Sequence, residues 1–229
     1  ILNYPIYLFS NILMKIRILL NFYWYIQSNS TLKIIIGASD TNYSGWVTTE
    51  EFFFDITDEN SWKSNFNNKT ISKMLAEHVF EHLTIAEIEE SLRNAYSHLE
   101  SGGTFRIAVP DGYHPSSYVI DLVKPGGLDQ GADDHKVLLT VESLSKIAKK
   151  AGFRVVPVEY FDNTGIFHSI DYSDENGHIS RSKKYYKGRF TNNIREYKKF
   201  LESVPKSLRA QFLMHKISYT SLIVDLVKE

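Results

Sequence analysis

The chain has 229 residues, 43% of them hydrophobic and 23% charged, which suits one ordinary domain with enough apolar material for a core. A formal net charge of −1 excludes a global field that would draw nucleic acid or an anionic membrane, so any charged partner has to be met by a local patch. The absence of cysteine excludes disulfides, thiolate metal sites and cysteine nucleophiles, and fits a reducing, cytoplasmic setting.

Residues 1–26 are rich in Ile, Leu, Phe, Tyr and Trp, yet Lys15 and Arg17 interrupt the run and Asn3, Pro5, Asn11 and Asn21 add polar breaks. A spanning helix needs about 20 nearly uninterrupted apolar residues. The charges follow the first apolar stretch instead of preceding it, an order that argues against an export signal. The expectation is an N-terminal apolar helical extension, residues 1–30, packing on the domain or on a second copy in a homodimer, with peripheral membrane contact through residues 1–26 as the alternative. A chain that opens on Ile1 instead of Met reads as a piece of a longer one.

Lys33 to Ile36 is a short β-branched run stopped by Gly37, the pattern of a strand buried on both faces. Gly45 precedes a second strand, Trp46 to Thr49, and Phe52 to Ile56 supplies a third before Asp58 caps a helix through Trp62 and Phe66. Ile71 to Ala76 gives a fourth strand ending in Glu77-His78. Thr84 with Glu87 forms a capping box for a helix whose Ile85, Ile88, Leu92, Ala95 and Leu99 make one apolar stripe. Ser101-Gly102-Gly103 is expected to stop that helix, and Thr104 to Val109 follows as a fifth strand closed by Pro110-Asp111-Gly112. Val141 to Ala151 reads as a helix, Phe153 to Tyr160 as a strand and Tyr219 to Val227 as the last strand. The alternation predicts an α/β domain over 31–229, with a mostly parallel central sheet, helices on both faces and an insertion at about 162–218.

Gly37 ends the first strand, where a residue without Cβ lets the backbone turn sharply beside a ligand, and Glu50 ends the second, where a carboxylate can accept from both hydroxyls of a ribose. The G-x-G-x-x-G cradle of dinucleotides is absent, and the link from Asp40 to Ser44 is too short for a full crossover helix, so a nucleoside ligand without phosphates is favoured. The basic cluster of Arg181, Lys183, Lys184, Lys187 and Arg189, interleaved with Tyr185 and Tyr186, reads as a solvated loop or a lid over an anionic substrate, and a nucleic-acid acceptor is disfavoured. Without cysteines or a His-x-x-x-His pair on a helix, no metal site is expected.

Ile36-Gly37-Ala38-Ser39, then Gly45 to Glu50, then Ala76-Glu77-His78-Val79-Phe80-Glu81-His82-Leu83 resemble the class I S-adenosylmethionine-dependent methyltransferases. More narrowly, Leu99 to Gly112, Val123 to Gly127, Gly131 to Leu138 and Tyr219 to Asp225 resemble a group of bacterial predicted methyltransferases similar to methyltransferase type 11. The resemblance covers residues 32–189 and 217–228 and fails for the N-terminal helix and for 190–216. It implies a Rossmann-like fold with an antiparallel last strand, S-adenosylmethionine as cofactor, and methyl transfer to a small molecule or glycan. It places Gly37, Ala38 and Ser39 at the methionine part of the cofactor, Glu50 at the ribose, Asp55 and Ile56 beside adenine, and Glu77 and His78 under the sulfonium. Ser39 stands where the family has a second glycine, and Glu50 where it more usually has Asp, so a catalytically degenerate binding or scaffolding domain is the alternative.

Methyl transfer from a sulfonium needs alignment, exclusion of water and, for a hydroxyl or amine acceptor, a base. His135 with Asp134 is the first candidate, since a carboxylate can fix the tautomer of an imidazole; Asp111 and His114 lie just past the fifth strand. Asp133 to Lys136 reads equally as a loop and helix start with capping acids, and His82 as a cap or packing residue.

Overall fold

The computed structural model describes residues 4–39, 41–185, 193–215 and 217–229, and only the backbone of residues 4–11. In chain order the elements are α1 (Tyr4–Ser28), β1 (Thr31–Ile36), β2 (Val47–Thr48), α2 (Glu59–Phe66), β3 (Thr70–Glu77), α3 (Ile85–His98), β4 (Leu99–Pro110), α4 (Ser117–Val123), α5 (Val141–Lys150), β5 (Arg154–Phe161), β6 (Phe167–Ser169), α6 (Ile194–Ser203), α7 (Arg209–His215) and β7 (Ser221–Val227).

The strands form one sheet in the order β2-β1-β3-β4-β7-β5-β6. β2, β1, β3 and β4 pair in parallel, and β7 runs antiparallel between β4 and β5. The Rossmann-like arrangement with an antiparallel last strand is therefore present, and a short antiparallel edge strand, β6, is added beside β5. The order reverses between β1 and β3, the switch point where open α/β sheets bind ligands beyond their carboxyl ends.

One face of the sheet is built as the periodicity predicts. Phe22 and Ile26 of α1, Trp62 and Phe66 of α2, Ile88 and Leu92 of α3, and Leu144 and Ile147 of α5 bury against Ile34, Met74, Phe105 and Val224. The Thr84 capping box forms, with Thr84 accepting from the Glu87 amide and Glu87 accepting from the Thr84 amide. Among the described side chains of α1, those that are seated lie in its later part. Phe22 stacks edge-on with Phe53 and Phe66, while Leu20, Tyr23 and Trp24 stay exposed. Among the described residues no helix is long and apolar enough to cross a membrane.

Three expectations are corrected. Phe52 to Ile56 is no strand: the amides of Phe53 and Phe54 fold back onto the Glu50 carbonyl at 3.1 and 3.0 Å, which sends Phe53 against α1 and Phe54 against Trp62 and Phe66. A tight turn buries more aromatic surface there than a sheet edge would. The second strand shrinks to Val47–Thr48. Gly102 and Gly103 do not stop α3, which ends at His98; they lie inside β4, where the register to β3 jumps from Ile71↔Leu99 to Lys73↔Thr104 and glycine accommodates the irregularity.

The other face follows from the short β1–β2 link. β2 pairs only with Ile34 and Ile35, so the chain needs no helix to return, and among the described residues none covers Ile35, Leu75, Ala108 and Ile223. The stretch after β6 does so instead: Ile179 is fully buried against these residues, with Tyr172, Tyr43 and Trp46 around it. Glu77 accepts from the amides of Ser180 and Arg181 at 3.1 and 3.0 Å, Glu159 accepts from the Lys183 amide at 2.7 Å, and Arg106 donates to the carbonyls of Ser173 and Gly177. Further along the chain, α6 and α7 pack with α4 around Phe161, Phe167 and Tyr219. Lys187, Arg189 and Tyr186 of the basic cluster lie outside the described residues.

Candidate functional site

At the exit of β1, Gly37 holds φ +60, and a Cβ built there would stand 2.8 Å from Val79 Cγ2. Val79 belongs to the turn that follows β3, so the glycine lets the ends of the two strands approach at the switch point. Ser39 has φ 47, the left-handed conformation that glycine adopts readily. The loop thus keeps the backbone shape of a glycine at the position where the resemblance expects one. Ala38 is turned inward: its side chain packs beside Ile35 and its amide donates to the Thr49 carbonyl at 3.1 Å.

Glu50 lies two residues past the end of β2 and is half-buried. Asp55 makes a local turn on the surface, accepting from the Thr57 amide and hydroxyl. Ile56 is buried, and its carbonyl accepts from the Trp62 indole at 2.8 Å. Glu77 has both carboxylate oxygens engaged by Ser180 and Arg181, so it serves the insertion first.

His78, just past β3, also lies in the left-handed region at φ 59, an uncommon conformation that directs the chain into the 3-10 turn Phe80–His82. The carboxylate of Glu81 meets His78 Nδ1 at 2.7 Å, and His78 Nε2 meets the Ser221 hydroxyl at 3.0 Å. Glu81 is fully buried. Burial pushes its carboxyl up, but the charge and hydrogen bond of His78 outweigh this and hold it below the usual carboxylate range.

These residues open onto a cavity of about 90 Å³ at the carboxyl ends of β3 and β4, lined also by His82, His135, Arg181 and Tyr219. His135, one of the candidate bases, therefore reaches the site, but Asp134 does not orient it. Asp134 pairs with His82 Nδ1 at 2.7 Å, and His135 Nδ1 donates to the Val123 carbonyl at 2.7 Å. The reason is local: Ala132 to Asp134 form a 3-10 turn, which sends the two adjacent side chains in different directions.

Asp111 and His114 lie apart from that cavity. Asp111 is buried and accepts from the amides of Phe161 and Tyr113 at 2.7 and 2.9 Å, and burial nevertheless pushes its carboxyl up to about 7. His114 is enclosed by Phe161, Phe200, Phe212 and Tyr219, with its ring nitrogens held by the Ser218 carbonyl and the Ser116 amide. Burial pulls its pKa down to about 3, so the neutral ring is the stable form. Asp111 ties the exit of β4 to the end of β5, and His114 ties it to Ser218 ahead of β7.

Sequence reasoning does not single out Glu81 and reads His82 as a cap or packing residue. Their meeting with His135 depends on the loop after α4 returning over β3, where the amides of Lys136 and Val137 donate to the Glu81 carbonyl. No periodicity or spacing signals such a contact.

No family model and no curated protein matches the chain. Solved structures similar to it include an S-adenosylmethionine-dependent methyltransferase from Archaeoglobus fulgidus, 14% identical with a TM-score of 0.45, covering 93% of this chain and 91% of that one. A possible histamine N-methyltransferase from Thermotoga maritima is 12% identical with a TM-score of 0.44, over 86% and 73% of the two chains. A putative methyltransferase of Haloferax volcanii, seen in complex with its activator, is 10% identical with a TM-score of 0.44, over 87% and 82%. At these values the likeness adds nothing to what the strand order already establishes.

Proposed function

We propose that this chain binds S-adenosylmethionine at the switch point between β1 and β3 and transfers its methyl group to a small molecule or glycan. The observation that carries the reading is the placing of Gly37, forced into a left-handed exit against Val79, at the same carboxyl end of the sheet as Glu50, two residues past the neighbouring strand β2. A nucleoside fits there: Gly37 and Ser39 are exposed, no Cβ obstructs the turn, and Glu50 follows the strand where a ribose acceptor belongs. Bound there, the cofactor supplies an electrophilic methyl group. The chain itself has to hold the ribose through Glu50, exclude water with the segment around Ile179, and present the acceptor from the cavity where His135 and Arg181 lie. An anionic acceptor suits Arg181.

Calorimetry with S-adenosylmethionine and with its demethylated product tests this. Both are expected to bind, and Glu50→Ala is expected to weaken binding about 10- to 100-fold, the value of losing a charged acceptor for hydroxyl donors. Binding of neither ligand to the folded protein would refute it.

A second reading, a binding or scaffolding domain without turnover, is favoured by one specific observation. The Ala38 amide and the Glu77 carboxylate, both expected to face the methionine half, are already engaged by Thr49, Ser180 and Arg181. Transfer of label from the methyl-labelled cofactor to an acceptor in an extract of the native cells would eliminate this alternative.

A further inference from the structure

Glu81, His82 and His135 each offer a ligand atom, and the three atoms lie within 4.8 Å of one another. The protonation pattern around them is that of a ligand set. His135 Nδ1 faces the Val123 carbonyl, which can only accept, so that nitrogen carries the proton and Nε2 keeps its lone pair. His82 is fixed in the same way by the Asp134 carboxylate on its Nδ1. An imidazole that donates one nitrogen to a carbonyl or carboxylate and turns the other inward is the usual outer support of a metal-bound histidine. The two rings stand nearly perpendicular, 82° apart, with centroids 4.7 Å from each other.

The carboxylate adds an independent sign. Glu81 uses Oε1 for His78, while its Oε2 is fully buried and has no hydrogen-bond partner among the described residues. A buried carboxylate oxygen without a donor is costly, and a cation is one of the few groups that would satisfy it.

We propose that Glu81, His82 and His135 form a site for one divalent transition-metal ion, of the kind that takes two imidazoles and one carboxylate and leaves further positions open. At bond lengths of about 2.0 to 2.2 Å in a tetrahedral set the ligand atoms stand about 3.3 to 3.6 Å apart, so binding draws in any pair near the 4.8 Å limit by about 1 Å or slightly more. The adjoining cavity of about 90 Å³ has room for waters on an ion's remaining positions and is far below the size of a nucleoside pocket. Arg181 and Tyr219 line the same cavity. On the methyltransferase reading, and only on it, an oxygen of the acceptor would replace one of those waters and lose its proton more easily there.

The test is a titration of chelator-treated full chain with Zn2+ and with Mn2+, without cofactor or acceptor, followed by calorimetry and, for Mn2+, by loss of the free-ion spin-resonance signal. One equivalent is expected to bind, with Mg2+ much weaker because imidazole is a poor partner for it. His135→Gln and His82→Gln should each weaken binding at least about 100-fold, and Asp134→Asn, an exposed position whose loss leaves the fold intact, about 10- to 100-fold. His168→Gln, on the remote strand β6, should change nothing. A folded wild-type chain that binds no equivalent overturns the proposal, as does binding that survives His135→Gln and His82→Gln together. Because no cofactor is present, failure here leaves the nucleoside reading standing, and failure of that reading leaves this one standing.

Discussion

Arg106→Met would cut the strongest tie between the sheet and the segment that covers its second face. The guanidinium is completely buried in β4 and holds Asp225 of β7 through two hydrogen bonds of 2.7 Å. Its remaining nitrogen donates to the carbonyls of Ser173 and Gly177, and Tyr172 lies 4.7 Å below it. Removing it leaves the Asp225 carboxylate inside the protein with Asn176 as its remaining partner, and leaves two carbonyls without a donor. Breaking a buried pair in this way costs about 3–5 kcal/mol. For a chain of this size that is roughly 6–20 °C in Tm, at about 2–4 °C per kcal/mol. Thermal unfolding followed by circular dichroism reads this directly. The double variant Arg106→Met with Asp225→Leu should regain most of the Tm, since no charge is stranded, but should not regain the anchoring of 173–177. Amide exchange over 172–183 should therefore stay fast in both variants. A Tm within about 2 °C of wild type for Arg106→Met, or renewed protection of the segment in the double variant, would refute the reasoning.

Gly37→Ala should cost about 1–3 kcal/mol, from the left-handed φ together with the 2.8 Å approach to Val79, and adding Val79→Ala should return only the steric part; urea melts of the three variants separate the contributions. His114 fixes a pH dependence. Its folded pKa, about 3, lies below the unfolded value near 6.5, so its contribution to stability is complete above about pH 6.5 and is lost as pH falls toward 3. Between pH 6.5 and 4.5 the wild type should lose about 2–3 kcal/mol more than His114→Gln, at about 1.4 kcal/mol per pH unit, and equal losses in urea melts at the two pH values would contradict this.

The helices and the central strands were legible because each carries its own signal. The Thr84 box and the Ile88–Leu92–Ala95 stripe identify α3 without reference to anything distant, and Lys33 to Ile36 identifies β1. The errors fall where tertiary packing overrides local preference. Three consecutive phenylalanines favour a strand, yet Phe53 and Phe54 serve two different helices, which only a turn permits. At the site, Gly37 announces its turn at the end of a strand, whereas the left-handed φ of Ser39 has no signal in the residue itself. The partners of His82 and His135 are chosen by a loop that crosses from another part of the chain, and adjacency in sequence misled: Asp134 stands next to His135 and bonds His82.

The missing crossover helix links stability to function in this chain. A sheet strip holding Ile35, Leu75 and Ala108 has to be covered, and the segment around Ile179 covers it by fastening onto Glu77, at the end of the strand that borders the switch point. A ligand that takes the Glu77 carboxylate must first release two amide hydrogen bonds to a charged acceptor, each worth about 1.5–3 kcal/mol. A ligand held by Gly37 and Glu50 alone leaves them in place. Cofactor binding and protection of residues 172–183 are then opposed if Glu77 contributes and independent if it does not, so exchange measured with and without the demethylated cofactor reports which carboxylate the chain has kept for its ligand.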